Sequence, residues 1–186
     1  MVALVAWTPE DGVLGAVAPL GLAAARGTAL VVDLDPGGPR YPGEMTLARL
    51  VAEGPRRRDL EPAHRGVAVL GNGGISAEAA IEVVAALVAS WPDVVLRVPA
   101  AGPPPLASMG EVPVVAFRPL LPGGLAAGPV RGVVWQSAGW RLTPPSPGPV
   151  LPRARAATVH SLLSGVRPRR DRWLRAIGEV WSRRWR

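Results

Sequence analysis

The chain has 186 residues, enough for one domain with a substantial hydrophobic core. It contains no cysteine and no lysine, so disulfides, thiolate metal sites and cysteine nucleophiles are excluded, and all 21 basic residues are arginine. Most of the net charge of +7 lies in residues 167–186, where eight arginines accompany two acidic residues. No apolar run approaches the roughly 20 residues of a membrane span, and no signal peptide is evident, so we expect a cytoplasmic protein.

The first two thirds of the chain alternate between short apolar runs and helical segments. The apolar runs predict strands at residues 2–6, 28–33, 66–70, 93–98, 112–117 and 130–136. Helices are expected at residues 13–26, with Gly27 as the stop, at 45–52, and at 77–90, with Ser76 as the cap. Because the strands are continuously apolar, we expect an α/β fold with a mostly parallel sheet covered by helices on both faces.

The composition changes after residue 142, where the predicted α/β domain of residues 1–142 ends. Residues 143–152 include five prolines and predict a semi-rigid extended linker. Residues 153–166 are expected to form a helix that completes or flanks the domain, and residues 167–186 form a basic tail segment.

The tail segment has the pattern of an amphipathic helix over residues 172–186. At about 100° per residue, one arc collects a set of apolar residues that we call the apolar stripe: Trp173, Leu174, Ile177, Val180, Trp181 and Trp185. Arg172, Arg175 and Arg183 fall outside this arc. Tryptophan with arginine is typical of a helix on an anionic membrane surface. Packing of the stripe on its own domain or on a partner protein, and contact with nucleic acid, are the open alternatives.

Asp33 and Asp35 follow the second predicted strand and are the main candidate site in the body of the chain. They fit the remnant of a metal or nucleotide site, or a solvated strand end in which Asp35 stabilises the Pro-Gly turn. The arginines at 56–58 fit an anion contact but favour a solvated loop, and the glycine-rich residues 71–74 fit a phosphate-binding nest but favour a flexible connection. His64 and His160 are isolated, and no spacing links them to other metal ligands.

Four stretches resemble, in order, the ParA/MinD family of deviant-Walker P-loop ATPases, and its TadZ/CpaE-like localisation branch most of all. They are VVDLDPGG, PDVVLRVP, VPVVAFRP and VRGVVWQ. The resemblance covers about residues 1–165, and it implies a P-loop-like fold and a homodimer or a family protein partner.

The nucleotide site of that family is degenerate in this chain. The phosphate-loop position keeps Gly12 and Gly15 but has no lysine, and it carries Glu10 and Asp11. Arg97 stands where the family has an aspartate that organises magnesium. The resemblance therefore implies a pseudo-ATPase for which neither ATP nor magnesium is an expected cofactor, and it leaves open whether nucleotide binds without hydrolysis.

These observations predict a non-catalytic localisation or scaffold protein, peripheral to the inner face of the cell membrane and held there by the tail segment. Pilus or secretion assembly and cell-division positioning are the processes that the resemblance implies. One alternative is a partition-like protein that binds nucleic acid through its arginines, and another is an ATPase with an atypical site.

Overall fold

The computed structural model describes residues 2–41, 43–54, 67–104, 111–122 and 132–185. Within these ranges the strands are β1 (Val2–Trp7), β2 (Ala29–Asp33), β3 (Ala68–Leu70), β4 (Asp93–Arg97), β5 (Val114–Leu120), β6 (Gly132–Ser137) and β7 (Val150–Leu151). The helices are α1 (Gly12–Arg26), α2 (Leu47–Glu53), α3 (Ala77–Ser90), α4 (Ala156–Leu163) and α5 (Arg172–Gly178), and a 3₁₀ turn follows at Glu179–Ser182.

The described strands form one parallel sheet in the order β3-β2-β4-β1-β5-β6-β7. Alternate strand residues enter two different cores. Leu4 and Val31 pack with α1, α4 and α5 on one face, whereas Val5 and Val32 pack with α2 and α3 on the other. The predicted α/β class, with a parallel sheet covered on both faces, is confirmed.

Local signals in the sequence explain several helix boundaries. The Ser76 hydroxyl accepts a hydrogen bond from the Ala79 amide, and α3 has the predicted bounds. Gly27 ends α1 in the left-handed conformation, with φ of +78°. The arginines at 56–58, His64 and the first residues of the strands expected at 66–70 and 130–136 lie outside the described residues.

The proline-rich stretch at 143–152, predicted as a linker, bends at residues 145–147 and packs on the sheet. Its residues 150–151 form β7, which pairs with β6. The Trp135 indole donates to the Ser146 carbonyl at 3.0 Å, and the Trp135 amide donates to the Pro149 carbonyl at 2.8 Å. Gly148 permits this approach, because a Cβ there would lie 2.2 Å from the Val133 oxygen.

Helix α1 is covered on two sides. Every residue from 16 to 24 is buried, because the sheet lies beneath the helix and α4 and α5 lie above it. A helix that is apolar around most of its circumference needs such cover. In this protein the second layer comes from residues far along the chain.

Candidate functional site

The candidate site lies at the carboxyl ends of the central strands, where parallel α/β sheets usually bind ligands. Asp33 is the last residue of β2 and Arg97 is the last residue of β4. The register pairs these two residues directly, and Arg97 pairs with Ala6 of β1 on its other side. The sheet therefore places an arginine between the strand that carries the aspartates and the first strand.

Arg97 bonds to both predicted site aspartates. Its Nη1 lies 2.7 Å from Asp33 Oδ1, and its Nη2 lies 2.9 Å from Asp35 Oδ2. Its Nε donates to the Gly15 carbonyl at 3.1 Å. Only 7% of Arg97 and 1% of Asp33 are exposed, so the charges are neutralised inside the protein. Each of the three guanidinium nitrogens of Arg97 thus has a hydrogen-bond partner within the protein, without any ligand.

A proline in α1 makes one of these bonds available. Pro19 has no amide hydrogen, so the carbonyl four residues earlier, that of Gly15, lacks its helical donor. Arg97 Nε supplies a donor instead. The next carbonyl, that of Ala16, accepts from the Tyr41 hydroxyl at 3.1 Å. Side chains thus join the carbonyls of α1 that precede Pro19 to the charged cluster.

The loop after β2 closes over the arginine. Asp35 Oδ1 accepts from the Gly37 amide at 3.0 Å, which is the turn-stabilising role that the sequence left open for Asp35. Asp33 Oδ1 also accepts from the Asp35 amide at 3.0 Å. A Cβ at Gly38 would lie 2.0 Å from Arg97 Nη1. Glycine at position 38 therefore lets the loop lie directly against the guanidinium.

Burial shifts the pKa values of the cluster. It raises the pKa of Asp33 above the ordinary value of 3.8, although the Arg97 guanidinium acts in the opposite direction. Burial alone would lower the pKa of Arg97, but the Asp33 carboxylate and its neighbours raise it overall. Burial also raises the pKa of the Tyr41 hydroxyl. Arg97 is therefore a permanent cation in this site.

The beginning of α1, where the resemblance places a phosphate loop, is occupied by a carboxylate. Asp11 Oδ1 accepts hydrogen bonds from the Val13 amide at 2.9 Å and from the Leu14 amide at 3.0 Å. These are the amides that a helix start would otherwise offer to an anion. Glu10 forms an ion pair with Arg118. Gly12 begins the helix, and no phosphate-binding lysine is present.

A crevice of about 650 Å³ adjoins the start of α1 on the side of β5 and β6. Its described lining is mostly apolar and includes Val13, Leu121 and Trp173, with Arg153 as the cation and Glu10 and Asp11 as the acids. Two carboxylates beside one guanidinium do not suit a polyphosphate. Among the described residues, no group of three or more histidine, aspartate or glutamate side chains is arranged to hold a metal.

The apolar stripe of the tail segment lies in the protein core in this structure, and its contact with a membrane stays a prediction. Only 2% of Trp173 is exposed, and the other four stripe residues up to position 181 are buried with it against α1. The Trp181 indole donates to the Leu22 carbonyl at 3.0 Å. Arg172, Arg175 and Arg183 are exposed. The alternative in which the stripe packs on its own domain describes this arrangement.

The helix of the tail segment is also shorter than predicted. It ends at Gly178, which lies so close to α1 that a Cβ would be 3.2 Å from Ala25. The 3₁₀ turn then directs Trp181 toward α1. Trp185 packs on Gly132, where a Cβ would be 2.6 Å from its ring. The close approach of the two helices, not helix periodicity alone, sets the shape of the segment.

Sequence reasoning identified Asp33, Asp35 and Arg97 but missed that they bind one another. It also missed Tyr41 and Asn72. The Asn72 side-chain amide donates to the Asp33 carbonyl at 3.2 Å, and its oxygen accepts from Gly74 at 2.8 Å. An asparagine among glycines is a signal for such a turn, whereas nothing in the sequence around Tyr41 indicated its contact.

Comparison of the chain with protein-family models, curated proteins and solved structures gives no significant match. In the described part of the chain, every helix is too short or too polar to span a bilayer.

Proposed function

We propose that this chain is a non-catalytic scaffold or localisation protein, a degenerate relative of the ParA/MinD ATPases nearest to their TadZ/CpaE-like branch. The observation that supports this proposal most strongly is the position of Arg97. A magnesium–nucleotide site needs free carboxylates for the metal and free amides for the phosphates. Here Arg97 neutralises Asp33 and Asp35, and Asp11 takes the first amides of α1.

Internal neutralisation has a consequence for how such a protein works. A nucleotide switches a protein only if it binds one conformation better than another. In this chain, Arg97 and Asp11 are charges of the protein itself at the positions where the resemblance implies the metal cation and the phosphate. The protein then needs no ligand to hold its fold, and it acts through the surfaces that it presents to partners.

The test is whether magnesium and ATP bind or react. We expect no hydrolysis and no rise in melting temperature with MgATP, whereas a ligand at 100 times its Kd adds about 2.7 kcal/mol to the free energy of unfolding. Asp93→Ala is the matched control, because Asp93 lies at the opposite end of the strands and pairs with Arg26. Magnesium-dependent hydrolysis that Asp33→Ala abolishes and Asp93→Ala preserves would show instead an ATPase with an atypical site.

Attachment to an anionic membrane through the apolar stripe stays a prediction, and it requires the tail segment to leave α1. Release would expose Trp173 and Trp181, which are buried in the docked form. Co-sedimentation with anionic vesicles tests it, with Gly21→Ala as a variant that loosens the docked tail. Stripe attachment predicts stronger binding by the variant, and equal binding by both proteins contradicts it.

The predicted homodimer and nucleic-acid contact are tested in the same way on the intact protein. Sedimentation velocity over a range of concentrations measures self-association. The alternative of a partition-like protein predicts DNA retention that weakens steeply with salt, because arginine contacts to phosphates release counterions. A flat salt dependence removes that alternative.

A further inference from the structure

An open groove of about 1370 Å³ lies away from the candidate site, between the end of α1, α4 and the beginning of α5. We call it the arginine groove, because Arg167, Arg169, Arg170 and Arg175 line it. Residues 164–171, which join α4 to α5, form much of its wall. The charged cluster at Arg97 does not contribute to it.

The positive charge of the arginine groove is not neutralised within the described protein. All four arginines are exposed, and none forms an ion pair or side-chain hydrogen bond with the described residues. The one acid in the described lining, Asp171, is already bonded. It accepts from the Leu174 amide at 2.9 Å and from the Thr158 hydroxyl at 2.6 Å. Four guanidinium groups therefore remain available to an external anion.

Arg170 holds an unfavourable backbone conformation in this wall. Its φ of +50° lies in the left-handed region, and it is the non-glycine residue with this property among the described residues. Glycine or asparagine adopts that region more easily than arginine does. Arginine at position 170 therefore carries a local conformational cost that glycine would avoid. This cost favours a function for the Arg170 side chain.

The rest of the lining decides the class of ligand. Val166 is 53% exposed at the groove, and Leu174 and Ala25 also line it, so apolar surface lies between the arginines. The described lining has no aromatic ring on which a nucleotide base would stack. A flat bilayer reaches only the rim of a concave groove, and the volume exceeds the usual range for small ligands.

We propose that the arginine groove binds an acidic peptide segment of a partner protein, with aliphatic side chains among its carboxylates. Guanidinium groups bind carboxylates through paired hydrogen bonds, and the aliphatic side chains cover Val166 and its neighbours. This inference gives the proposed scaffold a partner chemistry but does not depend on the absence of nucleotide binding.

The experiment measures fluorescence anisotropy of a labelled synthetic peptide that alternates glutamate and leucine. We expect the double variant Arg169→Ser, Arg170→Gly to bind at least about tenfold more weakly than wild type, because two charge-assisted contacts are lost. Glycine at 170 relieves the backbone conformation, so the melting temperature of this variant should not fall. The matched control is Arg183→Ser, Arg184→Ser, which removes the same charge from exposed positions outside the groove.

The outcomes separate the groove from general charge attraction. Retention of peptide binding by the control, with loss in the groove variant, supports the proposal. Equal loss in both variants overturns it, as does equal binding of a peptide with glutamine in place of glutamate. Tighter binding of a DNA duplex or of anionic vesicles at the same arginines would assign the groove to those partners and overturn the peptide proposal.

Discussion

At the scale of single residues, the candidate site depends on Arg97. Its guanidinium neutralises Asp33 and Asp35 in a region where burial disfavours every charge. Removing one member of such a cluster leaves the others buried without a partner. The free energy of unfolding then falls by more than the intact ion pair contributes to it. The cluster is therefore stable as a unit and sensitive to single substitutions.

The first residue-scale prediction concerns Arg97→Met, which keeps an unbranched side chain but shortens it and removes its charge. We expect the free energy of unfolding to fall by about 3–5 kcal/mol, because the Asp33 carboxylate loses its buried partner. Urea denaturation measures the change. Arg40→Met, at an exposed position, is the control and should change stability by less than about 0.5 kcal/mol. Similar losses in the two variants would contradict the role of Arg97.

The second residue-scale prediction concerns the pH dependence of the free energy of unfolding, and it follows from the raised pKa of Asp33. Between the ordinary value of 3.8 and the raised value, the folded protein binds more protons than the unfolded chain, so stability falls as pH rises through this window. Asp33→Asn lacks the titrating group. The free energy of unfolding of wild type minus that of Asp33→Asn should therefore decrease with rising pH and then level off. Urea melts between about pH 3 and 7 measure it, and an increase with pH would refute it.

The sequence supplied the members of the cluster but not their pairing. Aspartates after an apolar run predicted polar groups at a strand end, and Arg97 stood at the end of a later run. Asp33 and Arg97 meet because β4 inserts between β1 and β2 in a fixed register. The hydrophobic pattern of one strand does not encode which strands become its neighbours.

At the scale of elements, the decisive contact is that of α5 on α1. Gly21 lies under the Trp173 ring, where a Cβ would be 2.5 Å from the nearest ring atoms. Arg26, at the end of α1, adds a second contact with the tail segment, because its guanidinium lies 5.2 Å from the centre of the Trp181 ring. Its Nε also pairs with Asp93 at 3.4 Å. The tail segment is thus fitted to α1 by shape as well as by hydrophobicity.

Gly21→Ala tests this fit with a single methyl group. Alanine normally favours a helix over glycine by about 1 kcal/mol, but here we expect a loss of about 1–3 kcal/mol, because the methyl group overlaps Trp173. Tryptophan fluorescence should shift to longer wavelength if the ring is displaced. Gly12→Ala is the control, since no atom from outside its own turn of helix lies within 4 Å of its Cβ position. A gain of stability at position 21 would contradict the fit.

The elements themselves were predictable, because apolar runs, caps and stop residues are local signals. The surface that covers the apolar stripe was not predictable, because an amphipathic pattern is the same whether lipid or protein covers it. The sequence of α1 does carry a signal of this kind. Residues 16–24 of α1 are almost entirely apolar, which indicates cover on two sides, and the tail segment supplies the second layer.

At the scale of the whole molecule, one core joins distant parts of the chain. It contains Leu4 of β1, Leu20 of α1, Leu151 of β7 and Trp173 of α5. Because the tail segment is built into this core, we expect it to unfold together with the rest of the fold.

This arrangement predicts the hydrogen-exchange behaviour of the two helices. Amides in α1 and α5 should exchange with similar opening free energies, close to the global free energy of unfolding, because neither helix stays buried without the other. Native-state exchange followed by mass spectrometry measures this. Fast exchange in α5 beside slow exchange in α1 would mean that the tail segment detaches by itself.

The bond between Trp181 and Leu22 also affects how the protein is made. It joins residues that are 159 positions apart, so α1 leaves the ribosome long before its cover exists. At roughly 5–20 residues per second, the nascent helix waits on the order of ten seconds with an apolar face open to other chains. We therefore expect the risk of aggregation, and any need for a chaperone, to be greatest during synthesis.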